Sequence, residues 1–324
     1  MNYRKLGVYG VKVSEIGLGS WLTYGGYVAE ERATACIHRA FELGVNFFDT
    51  ANVYRRGAAE EVTGRALKAF RRDDYVLATK VYFAMGEGPN DRGLSRKHIM
   101  EQCHASLRRL AVDYVDLYQC HRPDPNTPLE ETLRALDDLV TQGKVLYVGV
   151  SQWSAELLDE ARRIQEKLNL DPIVSNQPEY SLLARDIEAD VLPTSRQLGI
   201  GQVVWSPIAQ GVLAGKYKPG EQPPAGTRAA TPRDSDFMSR YLRDDILAAV
   251  QNLRPIADDL GLTMAQLAIA WVLREPGVSS AIVGASRPEQ VDENVAASGV
   301  ELDEETLRRI DDALAPVLAA VAAS

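Results

Sequence analysis

The 324-residue chain contains 45% hydrophobic and 25% charged residues, a composition that excludes a disordered chain and a small disulfide-stabilised domain. Thirty-six basic residues against forty-five acidic ones leave a formal charge of -9, which makes nucleic acid a poor partner. The three cysteines, none close to another in sequence, favour a reducing compartment, and we expect the cytoplasm. No apolar run reaches the ~18 residues of a membrane helix, so no membrane insertion is predicted.

Eight short apolar runs, separated by amphipathic segments, predict parallel strands joined by crossover helices. The runs cover residues 15–19, 45–49, 75–79, 115–119, 145–150, 173–176, 202–205 and 279–283. An open dinucleotide-binding sheet is disfavoured, because the glycines after the first run lack the Gly-x-Gly-x-x-Gly spacing. Eight βα units therefore predict an α/β protein, a closed (β/α)8 TIM barrel that residues 1–324 form as a single domain.

Two segments depart from the regular βα alternation. Residues 3–14 contain two short alternating pieces that predict a β-hairpin plugging the amino-terminal mouth of the barrel. Between the last two predicted strands, a loop rich in Pro, Gly and Arg (216–233) precedes two predicted helices near the C-terminus, 240–260 and 263–274. A loop of this length in a compact domain is usually either a functional lid or disordered.

Four reactive side chains lie at the carboxyl ends of the predicted strands, where barrel enzymes have their active sites. Asp49 ends the second strand, Tyr54 lies in the following loop, Lys80 ends the third strand and His121 follows the fourth. Asp49 would balance a buried Lys80 ammonium, and this cation would lower the pKa of the Tyr54 phenol from about 10 towards neutrality. The set predicts proton donation by Tyr54 as a general acid.

In residue type, order and strand placement, these four residues match the tetrad of the aldo-keto reductases, and the chain resembles that family over nearly its whole length. Further matching segments are 44–51, 122–128, 205–207, 211–217 and 284–290. The Arg-Pro-Asp-Pro-Asn-Thr-Pro segment at 122–128 and the Gly-Lys-Tyr segment at 215–217 are most similar to the branch that contains voltage-gated potassium channel β subunits and their bacterial relatives.

The resemblance implies NADPH-dependent reduction of an aldehyde or a ketone, in which Tyr54 protonates the oxygen and His121 orients the substrate. It also implies an alternative, a nucleotide-sensing accessory subunit with little turnover. The channel subunits of this branch carry Asn at the position of His121, so this residue favours a working reductase. The resemblance also raises a homo-oligomer as an expectation, because relatives of this branch often assemble into tetramers or larger rings.

The contacts with NADP(H) are also implied by the resemblance. At the nicotinamide they are Ser151, Gln152, Gln177 and the stacking ring of Trp205, with Asn176 as a weaker candidate. Further cofactor contacts are Ser20, Trp21 and Asp49. At the pyrophosphate they are Ser206, Pro207, Ile208, Gln210, Gly211, Lys216 and Arg228. At the adenosine they are Gly284, Ser286, Arg287, Gln290, Glu293 and Asn294.

The adenosine segment also carries a helix start. Ser286 is predicted as the N-cap, with Pro288 in the first turn and Glu289 closing a capping box. Arg287 beside this helix N-terminus suits a ribose 2′-phosphate and so favours NADPH over NADH.

Aromatic residues in the loops of the same rim predict a wall for the carbonyl substrate. The substrate contacts are Trp21, Tyr24, Tyr54, Tyr82 and His121, with Phe83 as an addition. Two readings of Arg55 and Arg56 remain open, attraction of an anionic substrate group or simple exposure to water, and water is favoured. Cys120 is expected to pack behind the barrel, and the remaining histidines form no metal-ligand array, so no metal site is predicted.

Overall fold

The chain begins with an antiparallel hairpin of strands β1 (Tyr3–Lys5) and β2 (Lys12–Ser14) at the amino-terminal end of a barrel. Between the two strands, Leu6 is buried among side chains of the barrel interior. Gly7 adopts a φ of +61°, and a Cβ there would lie 2.2 Å from the carbonyl oxygen of Gly199. Only glycine fits this close approach. The predicted plug of the amino-terminal mouth is confirmed.

Eight parallel strands close the barrel in this computed structural model, which describes residues 1–21, 23–224, 227–230 and 236–322. The strands are β3 (Ile16–Gly19), β4 (Phe47–Asp49), β5 (Val76–Val81), β6 (Val115–Cys120), β7 (Val145–Val150), β8 (Ile173–Asn176), β9 (Gly201–Trp205) and β10 (Val278–Val283). Pairing of β10 with β3 completes the ring. The (β/α)8 prediction is confirmed, and every strand end lies within two residues of its predicted place.

Helices cover the outside of the barrel in the order expected of βα units. Those between successive strands are Glu30–Glu42, Ala58–Leu67, Arg96–Leu110, Leu129–Thr141, Ala155–Leu168 and Val191–Leu198. The later helices are Asp244–Gln251, Arg254–Asp259, Met264–Leu273, Pro288–Val295 and Glu304–Ala322.

The single helix predicted over 240–260 is wrong in its extent. The segment begins in a 3-10 turn, Asp236–Tyr241, and then forms two helices that are separated at Asn252 and Leu253. Pro255, in the first turn of the second helix, has no N–H to continue the hydrogen-bond ladder of the first, so the break falls before it. The next predicted helix, 263–274, is confirmed, with a capping box between Thr263 and Gln266.

Apolar side chains fill two layers, and polar side chains fill the carboxyl-terminal end of the barrel. The inner layer includes Leu6, Phe47, Ala78, Leu117 and Val203, while a larger layer lies between the strands and the helices. Cys120 is buried in this outer layer, as expected. Buried polar side chains are therefore concentrated at the carboxyl-terminal end of the barrel, among them Asp49, Lys80 and His121.

Within the described ranges, no helix taken singly has both the length and the apolar composition to cross a membrane. Asp244–Asp259 and Met264–Leu273, bent by 88° at their junction, meet that test of length and composition only as a pair.

Candidate active site

Lys80, Asp49, Tyr54 and His121 meet at the carboxyl-terminal rim of the barrel. The Nζ atom of Lys80 donates to Asp49 Oδ1 and to the carbonyl oxygen of Thr50, the latter at 2.9 Å. The same nitrogen lies 3.3 Å from the Tyr54 hydroxyl, which in turn lies 3.5 Å from His121 Nε2. The four side chains therefore form one continuous chain of polar contacts, as their strand positions predict.

Backbone pairing between β4 and β5 continues past the end of β4 and places Tyr54. Thr50 N–H donates to the carbonyl of Ala78, and Asn52 N–H donates to that of Lys80. Tyr54 then begins a short turn, Tyr54–Gly57, in which Arg55 and Arg56 adopt left-handed φ values of 51° and 53°. Left-handed backbone at non-glycine residues is strained and is concentrated at functional sites.

Burial and the charges at the rim together set the pKa of three of these side chains, Lys80, His121 and Tyr54. Burial alone would lower the pKa of Lys80, but the Asp49 carboxylate and Tyr54 raise it above its ordinary value, so the ammonium stays charged. Burial also lowers the pKa of His121 to well below its ordinary value, and the cations of Lys80 and Arg122 add to this. His121 is therefore a neutral imidazole at physiological pH.

The expected lowering of the Tyr54 pKa is wrong in its net direction. Burial of the phenol raises its pKa above the ordinary value of 10.0, and the nearby Lys80 cation only partly offsets this effect. The cation is visible in the sequence, whereas the cost of taking a phenolate out of water depends on the depth of burial in the fold. Tyr54 consequently holds its proton firmly at neutral pH.

Gln119 is a member of this cluster that the sequence reasoning missed. On β6, its amide Nε2 donates to Asp49 Oδ2 at 3.2 Å, and Gln177 Nε2 donates to the same oxygen at 3.0 Å. Gln177 Nε2 also donates to Gln119 Oε1 at 3.1 Å. A polar amide side chain at the end of the run 115–119 was the available signal, because an inward-facing amide in a strand needs a partner.

Aromatic rings extend the site along one side of the rim. His121 lies edge to face with Tyr54, with 5.5 Å between ring centroids, and with Phe83 at 4.9 Å, while Phe83 contacts Tyr82 at 5.2 Å. Trp21, two residues after the end of β3, is half-buried. Tyr24 is not brought to this wall, because it lies 1% exposed in the layer between the barrel and the helices.

The residues assigned to the nicotinamide, and the further cofactor contact Ser20, lie at the carboxyl ends of strands. Ser20 donates to Thr50 Oγ1 at 2.8 Å, Ser151 Oγ donates to the carbonyl of Gln177 at 2.8 Å, and Trp205 is half-buried at the end of β9. Gln152 follows Ser151 with a φ of 60°.

The side chain of Asn176 hydrogen-bonds the backbone of a neighbouring loop. Its side chain accepts from the N–H of Trp153 at 3.4 Å and donates to the carbonyl of the same residue at 3.2 Å. Both polar ends of the Asn176 amide thus fix the loop after β7.

The segment assigned to the pyrophosphate is a turn with unusual backbone. Ser206, Ala209, Gln210 and Gly211 have φ values of 56°, 44°, 58° and 98°. Gln210 Nε2 donates to Ser206 Oγ at 2.6 Å, which closes the turn around Pro207 and Ile208. Successive amides in left-handed turns form concave anion sites.

Lys216 folds back over this turn. A Cβ atom built on Gly211 would lie 3.2 Å from Lys216 Nζ, so the ammonium covers the glycine. Arg228 begins a short 3-10 turn, Arg228–Ala230, and its side chain lies outside the described part of the structure.

The predicted capping box at 286–289 is wrong. Arg287 occupies the N-cap position of the helix Pro288–Val295, without a side-chain capping bond. Ser286 lies one residue too early and instead donates through its N–H and Oγ to Gln290 Oε1, at 2.8 and 3.1 Å. Proline, which needs no N–H partner, begins the helix directly after Arg287.

The other residues assigned to the adenosine lie around this helix. Gly284 is exposed after β10, and a Cβ atom on it would meet nothing within 4 Å. The Arg287 side chain is 59% exposed and lies 3.8 Å from Glu289. Asn294 is 5% exposed, and the carbonyl of Glu293 accepts from Gln266.

Comparison with known proteins agrees with this architecture. The model of the Aldo/keto reductase family matches residues 15–315. An Arabidopsis thaliana protein named "Probable voltage-gated potassium channel subunit beta" is 46% identical over 303 residues, which cover 93% of this chain and 92% of the relative.

Two further relatives carry similar names. A rice protein (Oryza sativa subsp. japonica) with the same name is 45% identical, with the same coverage of 93% and 92%. A Schizosaccharomyces pombe protein, also named for a voltage-gated potassium channel subunit beta, is 44% identical over 324 residues, covering 96% of this chain and 93% of the relative. With the barrel and the rim cluster described above, these matches establish that the chain belongs to the aldo/keto reductase family, a family of oxidoreductases.

Proposed function

We propose that this protein reduces aldehydes or ketones to alcohols with NADPH, and that Tyr54 is the proton donor. The observation that carries the proposal is the contact chain at the rim, in which the buried Lys80 ammonium lies 3.3 Å from the Tyr54 hydroxyl and His121 Nε2 lies 3.5 Å from it. A hydroxyl between a fixed cation and a neutral imidazole is suited to protonating an oxygen on which negative charge develops.

The reaction divides between cofactor and protein. When bound, NADPH supplies the hydride that adds to the carbonyl carbon. The electron pair of the C=O π bond moves to oxygen, and Tyr54 transfers its proton to that oxygen, which gives the alcohol. Lys80 stabilises the resulting phenolate through its contact with the Tyr54 oxygen, and the tyrosine regains a proton from solvent. Because phenolate and alkoxide charge appear only as hydride arrives, this contact stabilises the transition state more than the substrate.

The other residues of the cluster hold this donor in place. The Asp49 carboxylate keeps Lys80 charged, and Gln119 and Gln177 hold its second oxygen. Neutral His121 can share a hydrogen bond with the carbonyl oxygen without competing with Tyr54 for the role of acid. The ring of Phe83 keeps one side of this region apolar.

The rim also fits a dinucleotide. The left-handed turn at 206–211, covered by Lys216, supplies backbone amides and a cation for a pyrophosphate. Gly284 leaves open space after β10, and the exposed Arg287 at the N-cap of the helix Pro288–Val295 suits a ribose 2′-phosphate.

Arg287→Ala should therefore weaken NADPH binding by about tenfold and leave NADH binding within twofold. Arg308→Ala, on the exposed face of the C-terminal helix, is the matched control, and an unchanged preference for NADPH in Arg287→Ala would overturn this site.

The proposal is tested by the loss of NADPH absorbance with a panel of aldehydes and ketones. Wild-type protein should turn over at least one carbonyl compound, and Tyr54→Phe should lower kcat by at least about 10³-fold while the Kd for NADPH stays within twofold. Tyr9→Phe makes the same chemical change at the opposite mouth, in the loop between β1 and β2, and should keep full activity. Equal turnover by Tyr54→Phe and wild type would remove Tyr54 as the acid.

The names of the relatives support a second candidate, a nucleotide-binding accessory subunit that turns over little. Such a subunit would use the same rim to bind NADP(H) and would report its redox state to a partner protein. Tight NADPH binding together with no measurable turnover across the whole panel would favour this candidate over the reductase. His121, where channel subunits of this branch carry Asn, favours the reductase.

A further inference from the structure

Arg122, which follows His121, is a half-buried cation at the edge of the candidate active site. Its Nη1 donates to the carbonyl oxygen of His121 at 2.8 Å, and its guanidinium carbon lies 5.7 Å from the centre of the Phe83 ring. That ring packs against the imidazole of His121, 4.9 Å away between centroids. Arg122 is thus fixed next to the wall at which a carbonyl substrate would lie.

The guanidinium lacks the anionic partner that Arg72 and Arg109, two other half-buried arginines, have. Arg72 pairs with Asp116 at 2.6 Å, and Arg109 pairs with Glu60 at 2.6 Å. For Arg122, no carboxylate lies within 4.0 Å in the part of the chain that the structure describes, and its described hydrogen bond uses one of five N–H donors. A half-buried charge without a partner is costly, and an incoming anion would recover that cost.

Arg122 also lies close enough to Tyr54 and His121 for its positive charge to affect their pKa values. Its cation partly opposes the rise that burial causes in the pKa of Tyr54, and it adds to the fall that burial causes in the pKa of His121. The neighbouring arginines are placed differently, since Arg56 is exposed and the guanidinium of Arg55 lies against Gly26, where a Cβ atom would come within 2.5 Å of Arg55 Nε. Of these three rim arginines, Arg122 is the one that lies beside the aromatic wall.

We propose that Arg122 selects carbonyl substrates that carry an oxyanion, a carboxylate or a phosphate, by pairing its guanidinium with that group while the carbonyl lies at Tyr54 and His121. This inference rests on the proposed reductase function and names its substrate class. Guanidinium is suited to the task because its planar N–H donors match the two oxygens of a carboxylate or a phosphate.

The test compares related carbonyl substrates with and without an anionic group. For carboxylate, 4-formylbenzoate is measured against its methyl ester; for phosphate, glycolaldehyde phosphate is measured against glycolaldehyde. In wild-type protein kcat/KM should favour at least one anionic member by tenfold or more, mainly through KM. Arg122→Gln should remove this preference and leave kcat/KM for the neutral members within threefold, whereas Arg56→Gln, the matched control, should keep it.

Binding without turnover gives an independent readout. Calorimetric titration of 4-formylbenzoate and of glycolaldehyde phosphate into the protein saturated with NADP⁺, which cannot deliver hydride, should give tighter binding to wild type than to Arg122→Gln by about tenfold for the preferred anion. The response of the two probes distinguishes a carboxylate site from a phosphate site.

The outcomes separate the two proposals. If neutral carbonyls are turned over but neither anion is preferred, or if Arg122→Gln keeps the preference, the Arg122 assignment is overturned while the reductase stands. If no carbonyl is turned over, the reductase fails. Arg122 is then judged by calorimetry alone, and equal affinities of wild type and Arg122→Gln for both anions would overturn it.

Discussion

Lys80 and Asp49 form an ion pair in which neither side chain is more than 4% exposed. Lys80 reaches into the barrel end from β5, and Asp49 closes the neighbouring β4. A buried pair of this kind contributes little net stability, but the loss of one partner leaves a charge in a place where water cannot solvate it. Each of the two charged side chains therefore needs the other as its counter-charge.

Removing the charge of Asp49 should lower the free energy of unfolding more than removing the charge of Lys80. Asp49→Asn leaves the Lys80 ammonium buried without its counter-charge and should lower the free energy of unfolding by about 3–5 kcal/mol. Lys80→Met should cost less, because Gln119 and Gln177 still donate to Asp49. The double variant should be more stable than Asp49→Asn alone. Urea unfolding of the four proteins checks this, and strictly additive losses would contradict the described pairing.

The pH dependence of carbonyl reduction should show the raised pKa of Tyr54. Because burial raises this pKa above 10.0, the phenol remains protonated throughout the neutral range. We expect kcat/KM for a neutral aldehyde to show no loss of the acid between pH 6 and pH 9, and to decline only in more alkaline solution. A decline centred between pH 7 and pH 8 that follows the ionisation of Tyr54 would show that the phenol is acidified instead.

His121 should make the protein less stable in acid. Burial, together with Lys80 and Arg122, lowers its pKa in the folded state below 6.5, so the unfolded chain takes up the proton first as the pH falls. The stability associated with the neutral ring is complete above about pH 6.5 and is lost progressively as the pH falls towards the folded-state pKa. Unfolding measured from pH 7.5 to pH 5 should therefore have a shallower slope in His121→Asn.

His121→Phe separates titration from packing in the same experiment. Both substitutions remove the titrating group, so both should flatten the slope even where their stabilities at pH 7.5 differ. Slopes equal to that of the wild type in both variants would be incompatible with a depressed pKa at this position.

Gly211→Ala should weaken nucleotide binding. The new Cβ atom would lie 3.2 Å from Lys216 Nζ and displace it from the turn, so we expect the Kd for NADPH to rise by about tenfold. Gly143→Ala is the control, because Gly143 also has a left-handed φ of +67° but a Cβ on it would meet nothing within 4 Å. Both variants should lose about 1 kcal/mol of stability from backbone strain, while only the first changes the Kd. Equal Kd values in the two variants would argue against a phosphate site at this turn.

Most of the fold could be predicted from the sequence because each strand is a short apolar run and each helix has its own periodicity. The same topology brought Asp49, Tyr54, Lys80 and His121 to one rim, since the carboxyl ends of parallel strands in a barrel lie together. The helix break before Pro255 was missed because apolar periodicity continues across it, although the proline itself was visible.

What could not be predicted depends on distances in three dimensions. Whether burial or the Lys80 cation controls the pKa of Tyr54 depends on how deeply the phenol is enclosed, and a sequence does not give that depth. Gln119 contacts Asp49 across strands 70 residues apart in the chain. The N-cap lies at Arg287, one residue after the predicted Ser286, and a sequence does not fix a helix end to a single residue.

The hairpin of β1 and β2 has a practical consequence for redesign. It seals the base of the barrel through Leu6 and Gly7, at the end opposite Tyr54 and Lys80. The residues that close the amino-terminal end are therefore separate from the loops at the carboxyl-terminal end. Those loops can be exchanged or lengthened and screened for new activities while the hairpin and its contacts stay unchanged.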